Sequence, residues 1–201
     1  MKLNNKRTIL VGLAFLSICA FWQMYDSVVP LILTKTFHMN ETFSGAIMAA
    51  DNILALFLLP FFGSVSDKSH TKIGKRMPFI LFGTGCAIIL MNILPLLDNS
   101  YAAQPSGFKT ASFVIVLGLL LIAMGTYRSA AVALMPDLTP KPLRSRANAI
   151  INLMGAVGGI LYLAVAAILY SQKRLDAMGL TKADRLDYQP LFLIVSAIMF
   201  V

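Results

Sequence analysis

The stretch Gly63-Ser64-Val65-Ser66-Asp67-Lys68, continued by Ser69-His70-Thr71-Lys72-Ile73 and then Gly74-Lys75-Arg76-Met77-Pro78-Phe79-Ile80, decides how this chain is read. It is a charged hairpin between two apolar runs, Phe43 to Val65 and Met77 to Leu97. Each run has the roughly 20 residues a helix needs to cross about 30 Å of hydrocarbon. Gly63 falls in the last turn of the first run, where a missing side chain permits close helix approach. Asp67 is placed to cap a neighbouring helix N-terminus. Gly74 supplies a tight bend, and Lys75 and Arg76 after it can meet acids or helix C-termini. Together they read as an electrostatic latch between membrane helices.

Working outward, the same pattern fills the chain. Of 201 residues, 58% are hydrophobic and 13% charged, with a mean hydropathy of +0.76. Soluble domains carry about 25% charge, so an ordinary cytosolic enzyme is excluded. Helical spans are expected near 8–34, 43–65, 77–97, 111–135 and 147–170. A sixth begins at Pro190 and reaches Val201 after 12 residues, which covers only about 18 Å at 1.5 Å each. A helix that leaves backbone groups open in hydrocarbon is costly, so the chain is expected to be a truncated piece whose intact form continues. The first run follows Lys2, Lys6 and Arg7 like a signal peptide. It is too long and lacks a clear cleavage site, and is expected to remain as a span. The expected fold class is an all-α polytopic membrane protein with five complete spans and the start of a sixth.

Charge decides orientation. Lys2, Lys6, Arg7, Lys68, Lys72, Lys75, Arg76, Lys141, Arg144 and Arg146 fall on one side, accompanied only by Asp67 and Asp137. Lys35, Lys109, Lys173, Arg174, Lys182 and Arg185 fall on the other, offset by Glu41, Asp98, Asp176, Asp184 and Asp187. The first side is expected to be cytoplasmic, with the N-terminus inside a multi-pass cell-membrane protein. The net charge of +8 therefore needs no nucleic acid, and anionic lipid accounts for part of it. The connections Asp98 to Thr110 and Ser171 to Gln189 read as solvated loops. Cys19, Cys86, His38 and His70 offer no disulfide framework or metal spacing. Neither cofactor nor metal is expected. Asn40-Glu41-Thr42 matches a glycosylation sequon, in a loop too short and too near the membrane to favour its use.

The Gly63–Ile80 loop resembles the signature loop of the major facilitator superfamily of secondary transporters, which joins the second and third helices of each six-helix half. The five residues between Lys68 and Gly74, and the following Arg76-Met77-Pro78-Phe79-Ile80, are similar to the glycoside-pentoside-hexuronide:cation symporters and to sucrose transporters. Met135-Pro136-Asp137-Leu138-Thr139-Pro140, followed by Arg144, Arg146, Ala147 and Asn148, resembles the turn after the fourth helix of the same relatives. Physically, Pro136 and Pro140 interrupt helix, and Asp137 is placed to pair with Arg144 or Arg146. The resemblance implies residues 1–201 as the N-terminal bundle of a twelve-helix transporter whose C-terminal half is missing. It implies that Asp67 in the gating loop, Gly63, Asp67, Lys68, Gly74, Lys75 and Arg76, contacts that opposite half in one access state.

Ionisable groups inside spans are expensive and usually face a cavity or a partner. Asp26, Asp51 and Arg128 are the three here. From helix rise, Asp51 and Arg128 differ by about 8 Å in depth and Asp26 and Arg128 by about 17 Å, so a static pair would join Asp51 to Arg128. Gln23, Tyr25 and Asp26 bring hydrogen-bonding groups to the outer part of the first helix before Pro30, as a polyhydroxylated sugar would need. Asn52 sits beside Asp51. Melibiose-type symporters carry Asp-x-x-x-Asp-Pro on the second helix, where Ala55 and Leu59 precede Pro60 here, so the resemblance favours proton over sodium coupling at Asp51. Major facilitator proteins often place an Arg on the fourth helix, which Arg128 matches. Gly155, Gly158 and Gly159 read as a packing face. The expected function is a sugar:proton symporter working by alternating access. The alternatives are a facilitator for a non-sugar solute, or a non-transporting assembly or sensor protein. A membrane enzyme using Asp51, Asp67 or Asp137 with a metal lacks a clustered carboxylate pair.

Overall fold

An apolar run in hydrocarbon must satisfy its backbone internally, and each of the long runs forms a helix. The computed structural model describes residues 5–69, 71–181 and 184–200. Lys2, His70, Lys182 and Val201, which entered the reading above, lie outside the described residues. The elements are α1 (Asn5–Leu31) with a π-helical extension Ile32–Thr36, α2 (Glu41–Lys68), α3 (Met77–Ala103), α4 (Gly107–Leu138), a 3₁₀ turn Lys141–Leu143, α5 (Arg144–Leu169), a short α6 (Gln172–Ala177) and α7 (Gln189–Phe200). Among the described residues, five helices are long and apolar enough to cross a membrane, and α7 is a shorter apolar helix. Most run several residues past the boundaries read from hydropathy, because polar terminal turns complete their hydrogen bonds outside the apolar window.

Helix α1 packs chiefly along α5, α3 along α4, and α2 against α4, with α7 lying on α3 and α1. Phe21, Met24, Met91, Leu94, Phe113, Leu117, Met124 and Phe192 are fully buried where α1, α3, α4 and α7 meet. Ile53, Leu56 and Phe57 of α2 and Leu153, Ile160 and Leu163 of α5 are exposed. Close approach of α1 and α5 depends on Gly158, whose added Cβ would stand 2.0 Å from the Leu16 carbonyl oxygen. A Cβ at Gly159 would meet nothing nearer than the Gln23 Oε1 at 3.9 Å, so the packing face read from three glycines is narrower. Membrane helices lack a hydrophobic drive toward one another, and polar contacts help to join them. Tyr127 of α4 meets Ser17 of α1 at 2.7 Å, and Asn92 of α3 donates to Ser196 of α7 at 2.6 Å.

Several sequence expectations change. Asp98 does not lie in a solvated loop: α3 continues to Ala103, and Asp98 is fully buried, accepting from Arg185 at 2.9 Å. Arg185 also donates to Asn99. A charge this deep needs a partner, and the segment Ser171 to Gln189 supplies it while burying Leu175, Leu186 and Tyr188. Pro136 does not end α4, which runs on to Leu138. Arg144 donates to the Pro136 carbonyl at 2.9 Å and to that of Thr139 at 3.3 Å, closing the helix end. Asn40, the first residue of the sequon, is the N-cap of α2 and accepts from the Thr42 N–H at 3.2 Å.

Candidate functional site

At the basic face, α2 ends at Lys68, Gly74 takes φ +100°, and α3 starts just after Arg76. Positive φ explains glycine there, since a side chain would strain the bend. This turn brings Arg76 back under the bundle, with its side chain 6% exposed. It donates to Ser66 at 2.7 Å, to Asp67, and to Asp137 at the end of α4 at 2.8 Å. Lys75 lies 3.3 Å from Asp137 and 3.7 Å from Asp67. One guanidinium therefore ties the ends of α2 and α4 to the start of α3. Charge-assisted bonds of this kind are the strong ones.

Two sequence expectations fail here. Asp137 pairs with Arg76 and Lys75, not with Arg144 or Arg146, because the chain turn carries Arg144 back onto the α4 carbonyls. Asp67 meets the guanidinium of the α3 N-cap residue rather than capping backbone N–H groups. Lys68 and Arg146 are exposed and join none of the ion pairs among the described residues. A Cβ at Gly63 would stand 3.4 Å from the Ser129 Oγ of α4, and Ser129 donates to the Leu59 carbonyl at 2.9 Å.

Within the bundle, a cavity of about 520 Å³ opens between α1, α2, α4 and α5. Its wall includes Phe15, Cys19, Trp22 and Asp26 from α1, Asp51, Asn52 and Ala55 from α2, Arg128 and Val132 from α4, and Asn152 from α5. The volume is in the usual range for small-molecule sites. Asn52 donates to Asp51 at 2.8 Å. Arg128 joins none of the ion pairs among the described residues, and its guanidinium carbon lies 5.6 Å from the centre of the Trp22 ring. The static Asp51–Arg128 pair expected from depth is therefore absent at ion-pair distance, although both line one cavity.

Of the six membrane residues singled out from sequence, Asp26, Asp51, Asn52 and Arg128 come together. Tyr25 does not: it is 1% exposed, packed in the core against Phe21 and Trp22. Gln23 points away, toward Gly159 of α5. Helix rotation separates them: each residue turns the helix by about 100°, which carries Gln23 past Trp22 and leaves Tyr25 short of Asp26 on the cavity side. The cavity stripe on α1 is Phe15, Ile18, Cys19, Trp22 and Asp26, one face of helix advancing in steps of three and four. That spacing was present in the sequence and would have selected Trp22 over Tyr25. Asn152 is an uncharged polar group in an apolar run, which a search for ionisable residues passes over.

The family described as Major Facilitator Superfamily matches residues 11–201. The chain belongs to the major facilitator superfamily and is an all-α polytopic membrane protein. It is 35% identical over 139 residues to the Sucrose transport protein SUC3 of Arabidopsis thaliana, covering 63% of this chain and 23% of that protein. It is 34% identical over 123 residues to the Sucrose transport protein SUT3 of Oryza sativa subsp. indica, covering 54% and 24%. It is 28% identical over 145 residues to the Alpha-ketoglutarate permease of Escherichia coli strain K12, covering 71% and 31%. The chain spans roughly a quarter of the length of the sucrose transport proteins it matches. No solved structure matches.

Proposed function

We propose that this chain is the N-terminal half of a secondary active transporter that moves a sugar together with a proton across the cell membrane. The N-terminus and the Arg76 latch face the cytoplasm by the charge asymmetry of the connections. A C-terminal bundle of the same protein completes the site, and rocking of the halves alternates access to it. The observation that carries this reading is the cavity holding Asp26, Asp51, Asn52, Asn152 and an Arg128 that joins no ion pair among the described residues. Amides and a carboxylate suit hydroxyl groups, a guanidinium gives oriented donors, and a membrane carboxylate suits proton carriage. Asp26 and Asn52 contact sugar, Asp51 carries the proton, and Arg128 senses that charge. Asp67, Lys75, Arg76 and Asp137, with the close approach at Gly63, the bend at Gly74 and Arg144 on the α4 carbonyls, hold the cytoplasmic ends, and Lys68 and Arg146 add positive charge to that face.

The test is concentrative uptake of labelled sucrose by cells expressing the complete protein. Asp51→Asn and Arg128→Gln are each expected to abolish uptake against a gradient, and uptake unchanged in both overturns the assigned roles. A second reading has its own support: Arg128, in no ion pair among the described residues, also suits a carboxylate solute, and the Alpha-ketoglutarate permease is among the relatives. Labelled α-ketoglutarate in the same assay separates the two, with accumulation of that acid and not of sucrose favouring the second.

A further inference from the structure

Arg128 shares its cavity with two carboxylates, Asp26 and Asp51, yet joins none of the ion pairs among the described residues. Opposite charges in a low-dielectric interior attract strongly, so something must hold this guanidinium away. It lies over the Trp22 ring, 5.6 Å from its centre, where the ring's quadrupole attracts a cation. The ring itself is braced. Phe21 stands edge-on to it at 5.4 Å and 81°, Tyr25 at 5.3 Å and 78°, and both are essentially unexposed. The indole Nε1 is buried, so that edge is turned into protein rather than into the open cavity. A void of about 10 Å³ remains between α1, α2 and α4, lined by Trp22, Asp51 and Arg128 among others. That gap admits at most one water.

We propose that Trp22 is a positioning residue that keeps the Arg128 guanidinium off Asp51, so that both charges stay available to solute and coupling ion. The significance of that availability rests on the transport reading above; the contact itself does not. Without the ring, Arg128 falls onto Asp51 and the two satisfy each other, as Arg76 and its acids do. The charged or titratable groups around Arg128 in the cavity are Cys19 and Asp26 from α1 and Asp51 from α2, while α5 presents the neutral Asn152.

These 201 residues hold a single tryptophan, so in the complete protein the emission that Trp22→Phe removes isolates the signal of this contact. In the full chain in lipid nanodiscs, Arg128→Gln is expected to shift Trp22 emission and alter its quenching by acrylamide, while Arg128→Lys stays near wild type. A second readout is independent of that variant: labelling of Asp51 by a hydrophobic carbodiimide, located by peptide mass spectrometry. The reagent needs a protonated carboxyl, and a close cation makes that form about tenfold rarer. Trp22→Ala is therefore expected to cut Asp51 labelling by about that factor. Trp22→Phe should retain labelling, and adding Arg128→Gln to Trp22→Ala should restore it. Labelling unchanged in Trp22→Ala overturns the inference, as does emission unchanged in Arg128→Gln. Neither readout involves flux. Wild-type uptake in Asp51→Asn and Arg128→Gln, with both readouts as expected, would remove the transport roles and leave the positioning contact standing.

Discussion

Two arginines in this bundle each stand among two carboxylates, and they do opposite things with them. Arg76 is buried and saturated, bonded to Ser66, Asp67 and Asp137. Arg128 is half-buried in a cavity with Asp26 and Asp51 and rests on an indole face. A saturated charge contributes to stability and has little left to offer a ligand. A charge held short of its partners keeps its hydrogen-bonding capacity for something that comes and goes. The difference lies in what the neighbouring helices bring within reach, not in residue type.

Stability measurements can break this contrast. Arg76→Gln leaves the buried Ser66 without its guanidinium and Asp137 with Lys75 as its remaining cation, and is expected to cost about 2 kcal/mol in the detergent-solubilised complete protein. Arg128→Gln breaks no ion pair among the described residues and removes the ring contact, worth about 0.5–1 kcal/mol where solvent is near. Equal losses in thermal unfolding would erase the distinction between latch and site. Ser66→Ala sharpens it, since one hydrogen bond to the guanidinium should account for about 1 kcal/mol of the Arg76 effect. Lys75, 43% exposed beside the same acids, should matter least within the latch, with Lys75→Ala inside about 0.5 kcal/mol of wild type.

The smallest effect concerns an acid held mainly by hydrogen bonds rather than by a cation. Asp184 accepts from the Thr181 backbone N–H at 2.7 Å and from its hydroxyl at 2.8 Å. These bonds, the backbone one foremost, hold its carboxyl below the ordinary 3.8. A depressed value means the contribution is present above the ordinary pKa and fades as pH falls through the lower one. The Thr181 amide resonance should move only below about pH 4, and Asp184→Asn should leave no such titration. A transition at or above the ordinary carboxylate value would contradict the hydrogen bonds described.

Much of the fold was legible because hydrocarbon imposes its own rule: every long apolar run must be a helix, and the five runs are. The connections were read less well. Asp98 looked like a loop acid because it followed the apolar window, whereas the chain between α5 and α7 folds back and delivers Arg185 to it. The Asp137 partner was misassigned for a similar reason. Arg144 and Arg146 are near it in sequence, but Arg76 reaches it from another turn. In the cavity, polar residue type selected Asp26, Asp51, Asn52 and Arg128, while helical rotation excluded Tyr25 and Gln23 and brought in Trp22 and Asn152.

The sequence by itself determined that the chain enters a bilayer, how many helices are long enough to cross it, and which few charged groups are carried inside. Those follow from transfer energies, which depend on composition along a short window. Only the tertiary structure decided which charges meet. Pairing depends on helix rotation and on distances of a few ångströms across elements far apart in the chain, and no local rule sets either. The same side chain therefore became a fastening at residue 76 and, among the described residues, stays out of ion-pair distance of any acid at residue 128.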